Sequence, residues 1–529
     1  MRKIIIALCA AAICLSSCGT PDGEYKLTVC AVTDVHGRYF DSLYVAPQQT
    51  KSSLSRVSTY IKNARRENPD LILIDNGDHL QGDNAAYYFN YVDTISPHIY
   101  GEIADYLGYD AMVVGNHDIE AGHSVYDRLR SELKIPYLAA NTIVASGAGP
   151  YFDEYTIIKR GGIKVAVIGM TNSNVKSWIS PALYAGFDIM PCENVQEIVD
   201  RVRAKEQPQV VILSFHSGFG DGQPGNLDNP TSYIAANVKG VDAIICGHDH
   251  APRVQYVDNP AGAVPVVNAG NHARFVSRLD ITVSIEKGKV KGKDVKAENI
   301  DMDGVESDKD YNEKFAAQFI AVRDFTNKEV CVFTEDMYLE DAFSGPSAWL
   351  SLVSAVQFKN TGAQISIVAP HGRNSVVKKG TATFNDMFSI YPYENTIYTI
   401  ELTGRQLKDY LEYSYDCWIN ETTPSFNYDS AEGIIYKVHH KKGNGERVEI
   451  VSMQDGSPFD MEATYSVAMN SYRAIGGGDL LRNWAKVDVS QPDSYIKEKR
   501  GPVRDMLYEY LQEAKVFTPT VTRNWDFTD

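Results

Sequence analysis

Five short segments in the N-terminal half carry side chains that bind metal ions through oxygen or imidazole nitrogen. Each segment follows an apolar run and forms a turn rich in Gly, Asp, Asn or His. The candidate ligands in these turns are Asp34, His36, Asp78, Asn116, His216, His248 and His250. Seven nitrogen and oxygen ligands are too many for one tetrahedral ion, so the pattern predicts two metal ions that share a ligand. A carboxylate bridges two cations best, which favours Asp78.

A pair of divalent ions would supply a specific chemistry. Two such ions lower the pKa of a bound water molecule and clamp a phosphoryl oxygen. Asp, His and Asn accept several first-row ions, so Zn, Mn, Co, Fe and Ni are all candidates. The ions would also provide positive charge in a chain whose formal net charge is −17. That charge disfavours binding of a nucleic-acid polymer, which needs a basic face.

Strands must bring the five turns together. The runs that precede them, such as LILID and VVILSF, are continuously apolar and predict strands that are buried on both faces. A helical segment at 52–68 separates two of them, so the region is predicted to be α/β. Ligands in such folds bind beyond the carboxyl ends of strands. All five turns lie at that end, so we expect them to converge on one site.

The length and composition of the chain predict two domains. A chain of 529 residues exceeds what one hydrophobic core usually organises, and its composition is that of a globular protein. A charged stretch near 284–311 marks the edge of the first domain, and an amphipathic helix is predicted at 311–325. We predict a first domain at 25–300, a linker with a helix at 301–328, and a separate mixed α/β domain at 329–520.

The first residues predict an export signal. Arg2 and Lys3 precede an apolar segment that ends in Leu-Ser-Ser-Cys at 15–18. The segment is shorter than the roughly 20 residues that span a bilayer. It resembles a bacterial lipoprotein signal, which implies removal of residues 1–17, lipidation of Cys18, and export to a bacterial membrane, on the periplasmic face or at the cell surface. The alternative is a plain secretory signal.

The order of the five turns, D-x-H, G-D, G-N-H-D, H and G-H-x-H, resembles that of the calcineurin-like metallophosphoesterases over residues 27 to about 285. The resemblance implies a β-sandwich flanked by helices. It also distributes the ligands between the two ions. Asp78 is shared, with Asp34, His36 and His250 completing the first site. Asn116, His216 and His248 complete the second.

The same resemblance assigns a catalytic pair. His117 would face the substrate phosphate, and Glu120, three residues later, would hold the imidazole and raise its pKa. A cationic His117 would then stabilise charge on the phosphoryl oxygens. Relatives often carry Asp at the last position, so the alternative for Glu120 is a solvated helix residue. Asp118 is predicted to be a turn or helix-start residue.

The whole chain resembles the bacterial 5'-nucleotidase family, in which a second domain holds the nucleoside between two aromatic side chains. Tyr393 in YPYENT and Tyr472 in SYRAIGGG are predicted to be that pair. These motifs resemble the 2',3'-cyclic-nucleotide 2'-phosphodiesterase/3'-nucleotidase branch. Asp479 instead matches the ribose-binding Asp of the 5'-nucleotidase branch. Arg373 and Asn374 are predicted to contact the base or the phosphate.

The favoured function is therefore hydrolysis of 2',3'-cyclic nucleotides and 3'-nucleotides. A 5'-nucleotidase or UDP-sugar hydrolase is the second hypothesis. A non-catalytic nucleotide-binding surface lipoprotein is the third, although a protein that only binds has no need of two metal ions and His117. The resemblance also implies that the two domains rotate about the linker between turnovers.

Overall fold

The computed structural model describes residues 20–44 and 49–528. The predicted signal peptide and Cys18 lie outside the described residues. Within those ranges, every helix is too short or too polar to cross a membrane.

Two six-stranded sheets form the first domain, with orders β14-β13-β1-β2-β3-β4 and β11-β12-β10-β9-β7-β6, while β5 pairs with β8. The strands, in chain order, are β1 Gly23–Val32, β2 Ile72–Asp75, β3 Ala111–Val113, β4 Tyr137–Leu138, β5 Thr142–Val144, β6 Tyr155–Arg160, β7 Ile163–Thr171, β8 Phe187–Ile189, β9 Val210–His216, β10 Ala243–Cys246, β11 Arg253–Val257, β12 Val264–Asn268, β13 Phe275–Glu286 and β14 Lys289–Asp301.

Helices cover the outer faces of both sheets. They are α1 Leu54–Glu67, α2 Asn84–Tyr87, α3 Ile99–Leu107, α4 Asn116–Glu120, α5 His123–Glu132, α6 Val195–Glu206 and α7 Thr231–Asn237. Between the sheets, Leu27 and Val29 of β1 share a buried layer with Val167 of β7 and Ile245 of β10. Outside them, α1, α3 and α5 pack on the first sheet and α6 and α7 on the second. Burial on both faces explains the continuous apolar runs.

The five runs that precede the metal-binding turns form β1, β2, β3, β9 and β10. In the first sheet β1, β2 and β3 are parallel neighbours, and in the second β9 and β10 are parallel neighbours. Their carboxyl ends therefore lie at the same end of the sandwich. The predicted α/β class, with a helix-flanked sandwich and a separate second domain, is confirmed.

Two helices connect the domains where one was predicted. They are α8 Lys309–Lys314 and α9 Ala316–Thr326, separated at Phe315, whose φ and ψ of −101° and 15° leave the helical region. Phe315 is buried with Tyr311 and Val322 in the core of the first domain. The linker thus packs on the first domain.

The second domain is built on a five-stranded sheet with the order β21-β17-β24-β20-β25. The strands of the whole second domain, including those of its smaller sheets, are β15 Glu329–Phe333, β16 Met337–Tyr338, β17 Ile365–Val368, β18 Val376–Val377, β19 Gly380–Thr383, β20 Thr396–Thr403, β21 Ser430–Glu432, β22 Ile434–His439, β23 Val448–Met453, β24 Thr464–Asn470, β25 Ile496–Pro502, β26 Val516–Phe517 and β27 Trp525–Thr528.

Helices pack around this sheet. They are α10 Ala348–Thr361, α11 Phe384–Ile390, α12 Gly404–Asn420, α13 Ser471–Ala474, α14 Pro492–Tyr495 and α15 Val503–Ala514. One core joins α12 to the strands, and a second joins α10, α11 and α15. The domains touch where the Tyr87 hydroxyl donates to Asp505 at 2.7 Å and the Asn84 amide donates to Asn385 at 2.9 Å.

Candidate active site

The seven predicted metal ligands lie together at the carboxyl end of the sandwich. The ligand atoms of six of them form two groups, each within 4.8 Å, which are Asp34, His36 and His250, and Asp78, His216 and His248. Asn116 joins the second group, with Oδ1 at 2.8 Å from His248 Nδ1. Asp78 Oδ2 lies 3.9 Å from His36 Nε2 and 3.1 Å from His216 Nε2. It therefore stands between the groups, as a shared ligand must.

Hydrogen bonds orient His36 and His216 toward this centre. His36 Nδ1 lies 3.0 Å from the Gln81 carbonyl and His216 Nδ1 lies 2.6 Å from the Asn76 carbonyl. A carbonyl only accepts, so Nδ1 carries the proton in both rings. Each Nε2 then presents its lone pair to the centre, which is how second partners fix metal-binding imidazoles.

His248 is oriented the other way round. Its Nε2 lies 3.1 Å from Asp228 Oδ1, so the carboxylate holds the proton on Nε2 and leaves the Nδ1 lone pair facing Asn116. The Asn172 amide donates to the Asp228 carbonyl at 3.0 Å and steadies that loop. Asp228 is a site residue that the motifs did not reveal, because it lies in a long loop without a recognisable pattern.

The donor set fits a pair of divalent cations. Asn116 Oδ1 and His248 Nδ1 are both acceptors, yet they lie 2.8 Å apart. Asp78 Oδ2 and His216 Nε2 are buried and complete no hydrogen bond within the described ranges. Buried acceptors that converge in this way are stabilised by a cation, and burial of an unpaired carboxylate is otherwise costly. Carboxylate, amide and imidazole ligands suit first-row divalent ions.

The backbone of this centre is held in an unusual conformation. Asp34, His36, Asp78, His248 and His250 have φ values between 47° and 68°. Non-glycine residues with positive φ are uncommon, and each costs on the order of 1–3 kcal/mol. Such conformations persist where the surroundings impose them, and they cluster at functional sites. The clustering of five such residues at neighbouring strand ends is typical of a functional site.

Two glycines allow the strand ends to approach each other. A Cβ atom on Gly115 would lie 2.1 Å from Asp78 Oδ1, and one on Gly77 would lie 2.6 Å from the Gly115 nitrogen. Both contacts are far inside van der Waals distance. The glycine before Asp78 and the glycine before Asn116 are therefore required for these ligands to share one site.

Asp118 does more than begin a helix, and the prediction for it was too modest. Its carboxylate is fully buried and accepts backbone N–H groups from Asp78, His79 and Leu80 at 2.9–3.0 Å. It also accepts the Gly115 N–H at 2.7 Å. One side chain thus joins the loops that carry the shared ligand and Asn116, a role that depends on tertiary structure and leaves no sequence motif.

His117 and Glu120 form the pair that the sequence left open. His117 Nδ1 lies 2.5 Å from Glu120 Oε2, and the His117 N–H donates to Asp78 Oδ1 at 2.8 Å. Burial lowers the pKa of the imidazole, but the negative charges of Glu120 and Asp78 outweigh burial and raise the pKa to about 9. The two carboxylates thus favour the cationic form of the ring, and Glu120 is not simply a solvated helix residue.

A cavity of about 850 Å³ connects this centre to the second domain. The first domain lines it with Asn116, His117 and His248, here called the metal end, and the second domain lines it with the rings Tyr393, Phe426 and Tyr472, here called the aromatic end. The two predicted aromatic residues therefore face the same space as the metal ligands. A single ligand can reach both ends.

Phe426 is an aromatic wall residue that sequence reasoning missed. Its ring centroid lies 6.4 Å from that of Tyr472, with the planes at 88°. The buried Arg473 joins their loops, because its guanidinium donates to the Phe426 carbonyl at 2.5 Å and to the Gly477 carbonyl at 2.8 Å. Its charge is balanced by Asp429 at 2.7 Å. The aromatic in SFNYD was the available signal.

Among the described residues that line this cavity, three predicted substrate contacts are missing. Arg373 instead pairs with Glu421 at 3.3 Å and lies over the Phe343 ring at 4.5 Å. Asp479 is exposed and accepts from Arg482 at 3.0 Å, and Asn374 is exposed at the surface. Alternative partners hold Arg373 and Asp479 outside the cavity, so the structure does not bring these residues to the other site residues, and the three substrate contacts stay predictions.

Comparison with known proteins divides the chain in the same way. Residues 27–252 match the calcineurin-like phosphoesterase family, and residues 325–486 match the 5'-nucleotidase C-terminal domain.

Curated relatives align along nearly the whole chain. The 2',3'-cyclic-nucleotide 2'-phosphodiesterase/3'-nucleotidase of Haemophilus influenzae is 24% identical over 95% of this chain and 88% of its own length. Protein UshA of Escherichia coli is 22% identical over 92% of this chain and 94% of its own length. The trifunctional nucleotide phosphoesterase YfkN of Bacillus subtilis is 24% identical over 95% of this chain, which spans 39% of that longer protein.

Solved structures share the fold. A putative 5'-nucleotidase from Staphylococcus aureus superimposes with a TM-score of 0.82 at 21% identity, covering 95% of this chain and 100% of the other. A 5'-nucleotidase precursor from Thermus thermophilus superimposes with a TM-score of 0.68 at 21% identity, covering 96% and 100%.

Proposed function

We propose a function for this chain from its family, since it belongs to the calcineurin-like metallophosphoesterases that carry a 5'-nucleotidase C-terminal domain and is thus a metal-dependent phosphoric ester hydrolase. In this proposal it releases phosphate from nucleotides and prefers 2',3'-cyclic nucleotides and 3'-nucleotides. The observation that carries the proposal is the cavity with metal ligands at one end and aromatic rings at the other. A nucleotide has the matching polarity, with a phosphate at one end and a flat base at the other.

The side chains have separate tasks in this proposal. Asp34, His36, Asp78 and His250 would hold one divalent ion, and Asp78, Asn116, His216 and His248 the other. When bound, the ions would supply an activated water molecule and a Lewis acid. His117, held by Glu120, stabilises negative charge on the phosphoryl oxygens as it develops. The aromatic rings hold the base, and stacking contributes roughly 1–3 kcal/mol per base.

The preferred phosphate position rests on narrower support. The YPYENT and SYRAIGGG segments line the cavity through Tyr393 and Tyr472, and the Haemophilus influenzae relative, whose name states that activity, aligns along nearly the whole chain. A 5'-nucleotidase or UDP-sugar hydrolase is the second candidate, because Asp479 follows the glycines as in that branch. Its exposed position and its pairing with Arg482 weaken this second reading.

A substrate panel tests the proposal. The metal-loaded full chain is assayed side by side with 2',3'-cAMP, 3'-AMP, 5'-AMP and UDP-glucose, and with a generic aryl phosphate ester. We expect the highest kcat/KM for 2',3'-cAMP and 3'-AMP. Turnover of 5'-AMP without turnover of 2',3'-cAMP would move the protein to the second candidate. Failure to hydrolyse any ester with Mn, Zn, Co, Fe or Ni present would leave a binding protein and refute both.

We also propose that the protein is exported and anchored through a lipid on Cys18. The support is the Leu-Ser-Ser-Cys ending of the apolar segment. Labelling with a fatty acid analogue in a bacterial host should mark the wild-type protein and not Cys18→Ala. Equal labelling, or none in either, would leave a plain secretory signal.

A further inference from the structure

We propose that Trp178 is a positioning residue for phosphoester hydrolysis, because its indole N–H fixes the carboxylate that holds His117. The inference rests on the proposed catalytic role of His117. No motif in the sequence points to Trp178, which follows the short 3₁₀ helix Ser173–Ser177.

Both oxygens of Glu120 are occupied in this arrangement. The Trp178 indole N–H donates to Oε1 at 3.1 Å, while Oε2 lies 2.5 Å from His117 Nδ1. A carboxylate with two directional partners has a fixed plane, whereas a carboxylate with one partner can rotate about it. The Trp178 N–H therefore determines how Glu120 presents its second oxygen to His117.

This second anchor matters because the carboxylate is a glutamate. Glu has one more rotatable bond than Asp and loses more conformational freedom when it is ordered. Glu120 is also the last residue of the short helix α4, and its side chain is 22% exposed. The Trp178 N–H is the second donor that holds this long, partly exposed side chain in line with His117.

Trp178 also contacts the metal-binding side of the cavity. Its ring lies parallel to that of His248, with planes 9° apart and centroids 6.2 Å apart. The segment that carries it is tied to the same ligand, because Asn172 caps the 3₁₀ helix and donates to the carbonyl of Asp228, which holds His248. Residues 172–178 thus support both the pair of His117 and Glu120 and the predicted metal ligand His248.

The competing explanation is that Trp178 is a packing residue, since its ring also lies against the apolar core of the first domain. Trp178→Phe separates the two explanations because it keeps an aromatic ring and removes the N–H. Trp484→Phe is the matched control. Trp484 stacks on Tyr413 at 4.4 Å on the second domain, and the cavity is lined by other residues.

The kinetic test uses an aryl phosphate ester and the metal-loaded full chain. We expect Trp178→Phe to lower kcat roughly ten- to a hundredfold, the value of a hydrogen bond to a charged group. KM and the bound metal content should stay within about twofold of the wild-type values, because the substitution changes only the geometry of the reacting groups. Trp484→Phe should match the wild type. Unchanged kcat in Trp178→Phe, or a fall accompanied by metal loss, would overturn the proposal.

A double variant tests whether Trp178 acts through Glu120. In a Glu120→Gln background, Trp178→Phe should cause little further loss, because the carboxylate it positions is already gone. Multiplicative losses would show that the two residues act independently and would refute the proposal.

An NMR readout separates this proposal from the proposed function. The proton that His117 Nδ1 shares with Glu120 should give a far-downfield resonance in the Zn-loaded wild type, assigned by its absence in His117→Asn. It should broaden or shift in Trp178→Phe even if the wild type hydrolyses no nucleotide. An unchanged resonance would contradict the positioning role regardless of which substrate is used.

Discussion

The two ends of the cavity are built by different means. At the metal end, five predicted ligands follow β1, β2 and β10 in left-handed backbone conformations. The imidazoles of His36, His216 and His248 each have a hydrogen-bond partner for the ring nitrogen that faces away from the centre. At the aromatic end, Tyr393, Phe426 and Tyr472 lie on loops or short helical turns of the second domain. In the proposed function, strand ends would hold the metal ions and loops would hold the base.

At the aromatic end, buried guanidinium groups hold the loops in place, as the strands hold the ligands in place at the metal end. Arg473 links the loops of Phe426 and Tyr472, and Arg504 donates to the backbone carbonyls of Tyr391 and Pro392 beside Tyr393. Both arginines are 1% exposed. Because the two ends are held by different elements, we expect that the reaction and the substrate preference can be altered separately, and the following variants test that separation.

The largest effect is expected at the shared ligand. Asp78→Asn keeps the shape of the side chain but removes the charge that both ions would share. We expect loss of at least one ion and a fall in kcat/KM of about a thousandfold or more, because the ions supply several kcal/mol of transition-state stabilisation. Metal content is measured by mass spectrometry, with circular dichroism to confirm folding. Full metal content with normal activity would remove Asp78 from the centre.

A smaller effect is expected at His117, which contributes to the reaction without holding metal. His117→Asn should lower kcat by roughly 10²–10³-fold, the cost of one charge-stabilising donor, while metal content stays near that of the wild type. His123→Asn is the control, since His123 pairs with Asp127 at 2.9 Å outside the cavity lining. Equal metal loss in His117→Asn and Asp78→Asn would refute the division of roles.

The smallest effect is expected at the aromatic end. Tyr472→Ala should raise KM for a nucleotide roughly five- to 150-fold, which corresponds to the stacking energy of one base. Metal content and kcat should change little, and Tyr472→Phe should bind as the wild type does. Phe426→Ala should behave like Tyr472→Ala. A fall in kcat with unchanged KM would show that the two ends are not separable.

The sequence could predict features that depend on strand ends, and it could not predict features that depend on contacts between distant residues. The convergence of the seven candidate ligands was predictable because each lies at or just after the end of a strand, and parallel strands bring their carboxyl ends to one edge. The contact between His117 and Glu120 was predicted only from the family resemblance and with an alternative, because it depends on side-chain torsions that the spacing of the residues does not fix. Asp118, Asp228 and Phe426 were missed since their roles depend on residues distant in the chain.

The places where the structure departs from the predicted arrangement have local physical causes. Arg373 and Asp479 have the right chemistry for a substrate contact, but Glu421 and Arg482 hold them at the surface. The predicted linker helix is interrupted at Phe315, whose side chain is buried in the core of the first domain. The assignments of the site residues to individual ions and steps remain predictions that the variants above can test.

A metal titration tests directly whether the site works with two ions. The wild-type chain is stripped with a chelator, Mn²⁺ is added back, and phosphate release from the best nucleotide of the panel is measured against the ions bound per chain. We expect no release from the stripped protein and a maximal rate when two ions are bound. A maximal rate with one ion bound, or release by the stripped protein, would rule out a two-ion centre.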